Sequence, residues 1–155
     1  MSKPNTDALD MLIGLTQEAL DAAARTLADD RRTQQQVQQQ ISTLTFYQQE
    51  YRQRLQHAMQ AGISPSSFTN YRAFLLSLDQ SIERAQRTLS TQQLQVDRSQ
   101  SVWQEQYRKR NAYNTLVERR VLAAQLTEQR IEQRASDETS SQMHLRQTRS
   151  GAHTL

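Results

Sequence analysis

Ala61-Gly62-Ile63-Ser64-Pro65-Ser66-Ser67 is the one stretch of this sequence in which glycine, proline and clustered serine coincide, and its reading decides the fold. Gly62 can take the left-handed conformation that ends a helix. Ile63 can pack back on Ala58 or Met59, and Ser64 followed by Pro65 supplies a cap and a first helical residue. The segment reads as a helix-helix turn over 61–67 at which the chain reverses once. Turn-forming residues are scarce elsewhere: 155 residues hold three Gly and two Pro, so the fold needs long elements with few connections. Multi-stranded sheets are thereby excluded.

Working outward from the turn, a seven-residue period organises both flanks. Before it, positions 13, 20, 27, 34, 41, 48 and 55 read Ile, Leu, Leu, Gln, Ile, Gln, Leu. Their companions at 9, 16, 23, 30, 37, 44, 51 and 58 read Leu, Thr, Ala, Asp, Val, Leu, Tyr, Ala. This is an interrupted coiled-coil seam on one helix over about 7–60. After the turn, positions 75, 82, 89, 96, 103, 110, 117, 124 and 131 read Leu, Ile, Leu, Val, Trp, Arg, Val, Ala, Ile, with Tyr71, Leu78, Ala85 and Tyr113 beside them. That predicts a second, longer helix over about 68–135 with a cleaner seam and a local defect at Arg110. Reversal near residue 64 sets Leu44 opposite roughly residue 84 and Leu9 opposite roughly residue 119, in a rod about 80 to 100 Å long at ~1.5 Å per residue. From Ser136 the pattern stops, and 139–155 reads as a disordered tail. The expected fold class is all-α: an antiparallel two-helix coiled-coil hairpin with the second helix longer.

Composition narrows the chemistry. Only 35% of residues are hydrophobic and 23% charged, too little apolar material for a globular core. Mean hydropathy is −0.86, but glutamine supplies much of the polarity and apolar residues recur along the chain, which favours helix over disorder. The absence of cysteine excludes disulfides, thiol catalysis and iron-sulfur clusters. The first apolar run is no longer than Met11-Leu12-Ile13 and follows Asp10, so neither a signal peptide nor direct membrane insertion is expected, and the cytoplasm is the expected address. His57, His144 and His153 are far apart, with no helix-spaced pair for a metal. No glycine-rich phosphate loop or nucleophile elbow exists, and a two-helix hairpin lacks the cleft that perturbs carboxylates. No catalytic residue, metal or cofactor is therefore assigned.

Charge is uneven. Residues 1–61 carry six basic and seven acidic groups, and residues 62–135 eleven and seven. Arg108-Lys109-Arg110 and Arg119-Arg120, near Trp103, Tyr107 and Tyr113, have the make-up of a nucleic-acid contact. Asp97, Glu105 and Glu118 are interleaved at helical spacing, however, so ordinary surface pairing accounts for these charges better and no nucleic acid is expected. The aromatic group Phe46, Tyr47, Tyr51, Tyr71 and Phe74 gathers near the turn. Tyr47 and Tyr51 share a helix face with Gln40, Thr43 and Leu44. Two readings stay open: the rings close the core at the hairpin tip, or they form an exposed patch of the composition found at docking hot spots.

Ala22-Ala-Ala-Arg25, Arg31-Arg32, Leu44, Tyr47-Gln-x-Glu-Tyr-Arg52, Met59, Gly62-Ile63, and Asn70-Tyr71 with Phe74 together resemble the flagellar export protein family FliJ. Leu78, Ile82-Glu83, Val96-Asp97, Trp103, Thr115-Leu116, Arg119 and Asp137-Glu138 extend the likeness over roughly residues 9–138. The resemblance implies a component of the flagellar type III export apparatus whose two-helix coiled coil is similar to the central stalk of rotary ATPases. It implies three partners: the hexameric export ATPase, the cytoplasmic linker of the membrane export gate, and flagellar export chaperones. The ends at roughly 7–30 and 110–135, with Arg25, Arg31, Arg32, Arg119 and Arg120, would contact the ATPase ring. By alignment the gate-binding patch falls on Gln40, Leu44, Tyr47 and Tyr51 of the first helix and Phe74 and Leu78 of the second. Ser81 and Ala85 depart from the pattern, where the family has alanine and histidine. The implied location is the cytoplasmic side of the inner membrane. Heptads alone leave strand number open. The alternatives to a monomeric hairpin of this kind are a coiled-coil adaptor dimer with no ATPase partner and a nucleic-acid-binding helical hairpin.

Overall fold

The computed structural model describes residues 3–152 as two helices, α1 (Lys3–Ala61) and α2 (Pro65–Gly151), and among these residues there is no strand. The break between them is tighter than 61–67, because only Gly62, Ile63 and Ser64 are non-helical. Gly62 takes φ +85°, which an L side chain adopts only with strain, and its N–H closes α1 on the Met59 carbonyl at 3.4 Å. Ser64 caps α2: its Oγ accepts from the Ser67 N–H at 3.2 Å, and its carbonyl accepts from the Phe68 N–H at 3.1 Å. Pro65 then stands at the first helical position, where its missing N–H costs nothing. Ser64→Ala should lower hairpin stability by about 1 kcal/mol with helix content unchanged, read as a drop in thermal midpoint.

The chain forms two compact units, Leu15–Arg108 and the remainder up to Gly14 and from Lys109. Within Leu15–Arg108, the seam positions from Thr16 to Ala58 on α1 and from Tyr71 to Gln106 on α2 are all buried or half-buried. Leu20, Ala23, Leu27 and Val37 face inward on one helix, and Leu78, Ala85 and Val96 on the other. The pairing keeps the heptad beat: the Gln34 amide meets Gln93, and the Gln48 amide meets Asp79. Two heptads forward along α1 are thus two heptads back along α2, as antiparallel helices wound to a 3.5-residue repeat require. Even so, no described side chain is fully buried, because two helices enclose only a line of contact.

In the other unit Leu9 is buried and Ile13, Arg110, Tyr113 and Val117 are half-buried. Arg110 is accommodated on the seam without interrupting α2. The α2 seam, however, ends at Val117. Ala124 and Ile131, expected to continue it, are exposed, as is every described residue after Val117. By the antiparallel offset of Gln34–Gln93 and Gln48–Asp79, residue 124 corresponds to the first residues of α1.

The disordered tail expected over 139–155 is corrected as well. α2 continues to Gly151, and Leu155, Thr154 and His153 lie outside the described residues. The serines and threonines that read as breakers bond back into the helix: Thr139 donates to the Ala135 carbonyl at 2.8 Å, Thr148 to His144 at 3.1 Å and Ser150 to Arg146 at 2.9 Å. The next glycine after Gly62 is Gly151, so nothing in between stops the helix.

Candidate docking surface

Antiparallel pairing brings one flank of α1 beside the same flank of α2, and the aromatic residues near the turn collect there. Tyr47 precedes the seam residue Gln48, and Phe74 precedes the seam residue Leu75, so each projects beside the seam and not into it. Tyr47 is 46% and Phe74 41% exposed. Tyr51, itself on the seam and half-buried, packs its ring against Phe74 with centroids 4.3 Å apart at a 44° tilt. Phe46, 62% exposed, meets Tyr47 edge-on at 6.0 Å.

The two readings of these rings are thus divided between residues. Leu44 and Tyr51 are half-buried, Tyr71 is half-buried, and Leu78 is buried. Leu78 is therefore a support beneath the face rather than part of its surface, since it occupies a seam position between Leu75 and Ile82. Gln40 is exposed and continues the Tyr47 side toward the middle of α1. Ser81 and Ala85, which depart from the family pattern, are half-buried and buried.

Some of the site was not named from the sequence. The Arg54 guanidinium lies 5.1 Å from the Tyr51 ring centroid while its Nη2 donates to Glu50 at 3.2 Å. With Ser67, Asn70, Tyr71 and Phe74, these side chains line an open groove of about 390 Å³ at the hairpin tip. The spacing Tyr47-Tyr51-Arg54 is helical, which was the available signal for Arg54. On the opposite flank Arg52 approaches Asp79 at 3.9 Å, with both side chains about half exposed, a pair that contributes well under ~1 kcal/mol.

The basic residues assigned to the ring contact are all exposed. Arg25, Arg31 and Arg32 lie on α1 within Leu15–Arg108, with Arg32 paired to Asp29 at 3.4 Å, and Arg119 and Arg120 lie on α2 in the other unit. Trp103 stacks on Tyr107 at 5.3 Å and is half-buried in the seam, an arrangement that commits the indole to packing between helices. Among the described residues no cluster of three or more His, Asp or Glu could hold a metal ion, and no helix is long and apolar enough to cross a membrane.

The family model for the flagellar FliJ protein matches residues 5–149. The flagellar FliJ proteins of Salmonella typhi and of Escherichia coli K12 are each 34% identical to this chain over 139 residues, covering 90% of it and 95% of the relative.

Proposed function

Because this chain belongs to the flagellar FliJ family, components of flagellar export, we propose that it works as a coupling element between the export ATPase and the export gate. In this reading the paired ends seat in the central hole of the ATPase hexamer, promoting ring assembly and hydrolysis. The face around Tyr47 and Phe74 engages the cytoplasmic linker of the gate, and the protein escorts export chaperones. It acts by binding, at the cytoplasmic side of the inner membrane.

The observation that carries the ring contact is the last part of α2. Leu122 is 57%, Leu126 48% and Ile131 62% exposed, and they do not form a single stripe. Val117 and Leu126 are nine residues apart, as are Leu122 and Ile131, which is two and a half helical turns, so each pair lies on opposite sides of the helix. A surface with one docking partner would need one apolar stripe. Apolar residues on opposite sides suit a helix that a partner encloses.

The test is ATP hydrolysis by the purified export ATPase from the same organism, with and without this protein, together with electron-microscope counts of rings. Stimulation with more rings is expected. No stimulation by a protein shown to be helical and, at 18.0 kDa by light scattering, monomeric would remove the stalk role.

A further inference from the structure

Most of the seam in Leu15–Arg108 is apolar, and apolar heptads tolerate sliding, because a slip of three, four or seven residues again sets aliphatic against aliphatic. One site does not. Asp30 occupies a seam position on α1, half-buried, and three side chains from successive turns of α2 converge on it. Ser99, buried, donates its hydroxyl to the Asp30 carboxylate; Gln95 Nε2 reaches the same oxygen at 3.5 Å; and Gln92 Nε2 donates to the Asp30 main-chain carbonyl at 3.0 Å. An ionised carboxylate only accepts, so it must find donors wherever it is placed. A slip of three or four residues would put Val96 or Trp103 where Ser99 stands, leaving the carboxylate facing a side chain with nothing to offer it or only an indole N–H. A slip of a whole heptad would replace Gln95 by Thr88 or Val102 and break the three-point set.

We propose that Asp30, with Gln92, Gln95 and Ser99, is a second register lock of the hairpin, separate from the turn at Gly62–Ser64. Its consequence reaches the surface near the tip. That face is assembled from both helices, with Tyr51 of α1 against Phe74 of α2, so it exists in one arrangement only while α1 and α2 keep one register. The lock itself does not depend on which partner docks there.

The absence of cysteine makes the test direct. Spin labels on Ser42→Cys and Ser101→Cys, two exposed serines, are separated mainly along the helix axis, so a slip of three or four residues changes their distance by about 5 Å. The distance distribution is measured by pulsed electron spin resonance in four full-length chains: turn unchanged or lengthened by three glycines after Gly62, each with Asp30 or with Asp30→Leu. Leucine suits a seam position, so Asp30→Leu chains are expected to fold, and circular dichroism checks this. A single unchanged distance is expected in both chains with the native turn and in the long-turn chain that keeps Asp30. A second population displaced by about 5 Å is expected in the long-turn Asp30→Leu chain alone. A second population already present in the long-turn chain with Asp30 would overturn the proposal, because the turn would then be the sole lock. A single distance in the long-turn Asp30→Leu chain would overturn it equally, because the apolar seam would then suffice.

Discussion

Tyr47→Ala should weaken binding to the gate linker about thirtyfold, corresponding to about 2 kcal/mol, while leaving thermal stability within about 0.5 kcal/mol. The two halves of that expectation have one cause. Tyr47 is nearly half exposed and its recorded ring contact is with the still more exposed Phe46, so truncating it removes area available to a partner and little that holds the hairpin together. Tyr51→Ala is the contrasting variant. Its ring is half-buried against Phe74, so its loss should lower the thermal midpoint as well as the affinity. Titration of a purified linker peptide onto each variant, with melting curves measured in parallel, separates the two. Undiminished binding by Tyr47→Ala would show that the partner docks elsewhere. A large fall in its thermal midpoint would show that the ring belongs to the core.

Ending the chain after Val117 should abolish stimulation of the export ATPase without changing the thermal midpoint of the remaining hairpin. Every described α2 residue beyond Val117 is exposed, so the deleted part contributes length and surface but no burial. The helical signal should fall in proportion to the 34 residues from Glu118 to Gly151 that are removed. What is lost is the segment with Leu122 and Leu126 on one side of the helix and Ile131 on the other, the feature that suits enclosure by a ring. Full stimulation by the shortened chain would place the ring contact elsewhere, and a large drop in thermal midpoint would mean that the segment packs against the hairpin after all.

The hairpin was legible because its two signals are local and unambiguous. Gly62 and Ser64-Pro65 are the only punctuation between long heptad stretches, and seam positions were countable from Leu9 to Val117. Where that seam would end was not legible. Ala124 and Ile131 fit the repeat as well as Val96 does, yet they are exposed where Val96 is buried, and the repeat itself carries no mark of that difference. The tail was misread for a different reason. Ser, Thr and Asp suggest loops when counted, yet Thr139, Thr148 and Ser150 satisfy their hydroxyls on their own helix. At the aromatic face the residue types were plain, but exposure was not: Tyr47 and Tyr51 sit four residues apart on one helix, and a position beside the seam or on it separates surface from support. Asp30 appeared only as an interruption in the repeat, because Ser99, Gln95 and Gln92 are remote in sequence and become its donors only through the reversal.

The three-residue turn also settles how the helices end. Aligned peptide dipoles give an α-helix a partial positive charge at its start and a partial negative charge at its finish. Here the finish of α1 and the start of α2 are separated only by Gly62, Ile63 and Ser64, so the two opposite end charges neutralise each other locally. Neither therefore needs a charged side chain: the last turn of α1 contains no basic residue and the first turn of α2 no acidic one. At its far terminus α2 carries a base in the final turn, Arg149, which meets the partial negative charge there, whereas the first turn of α1 carries no acidic residue.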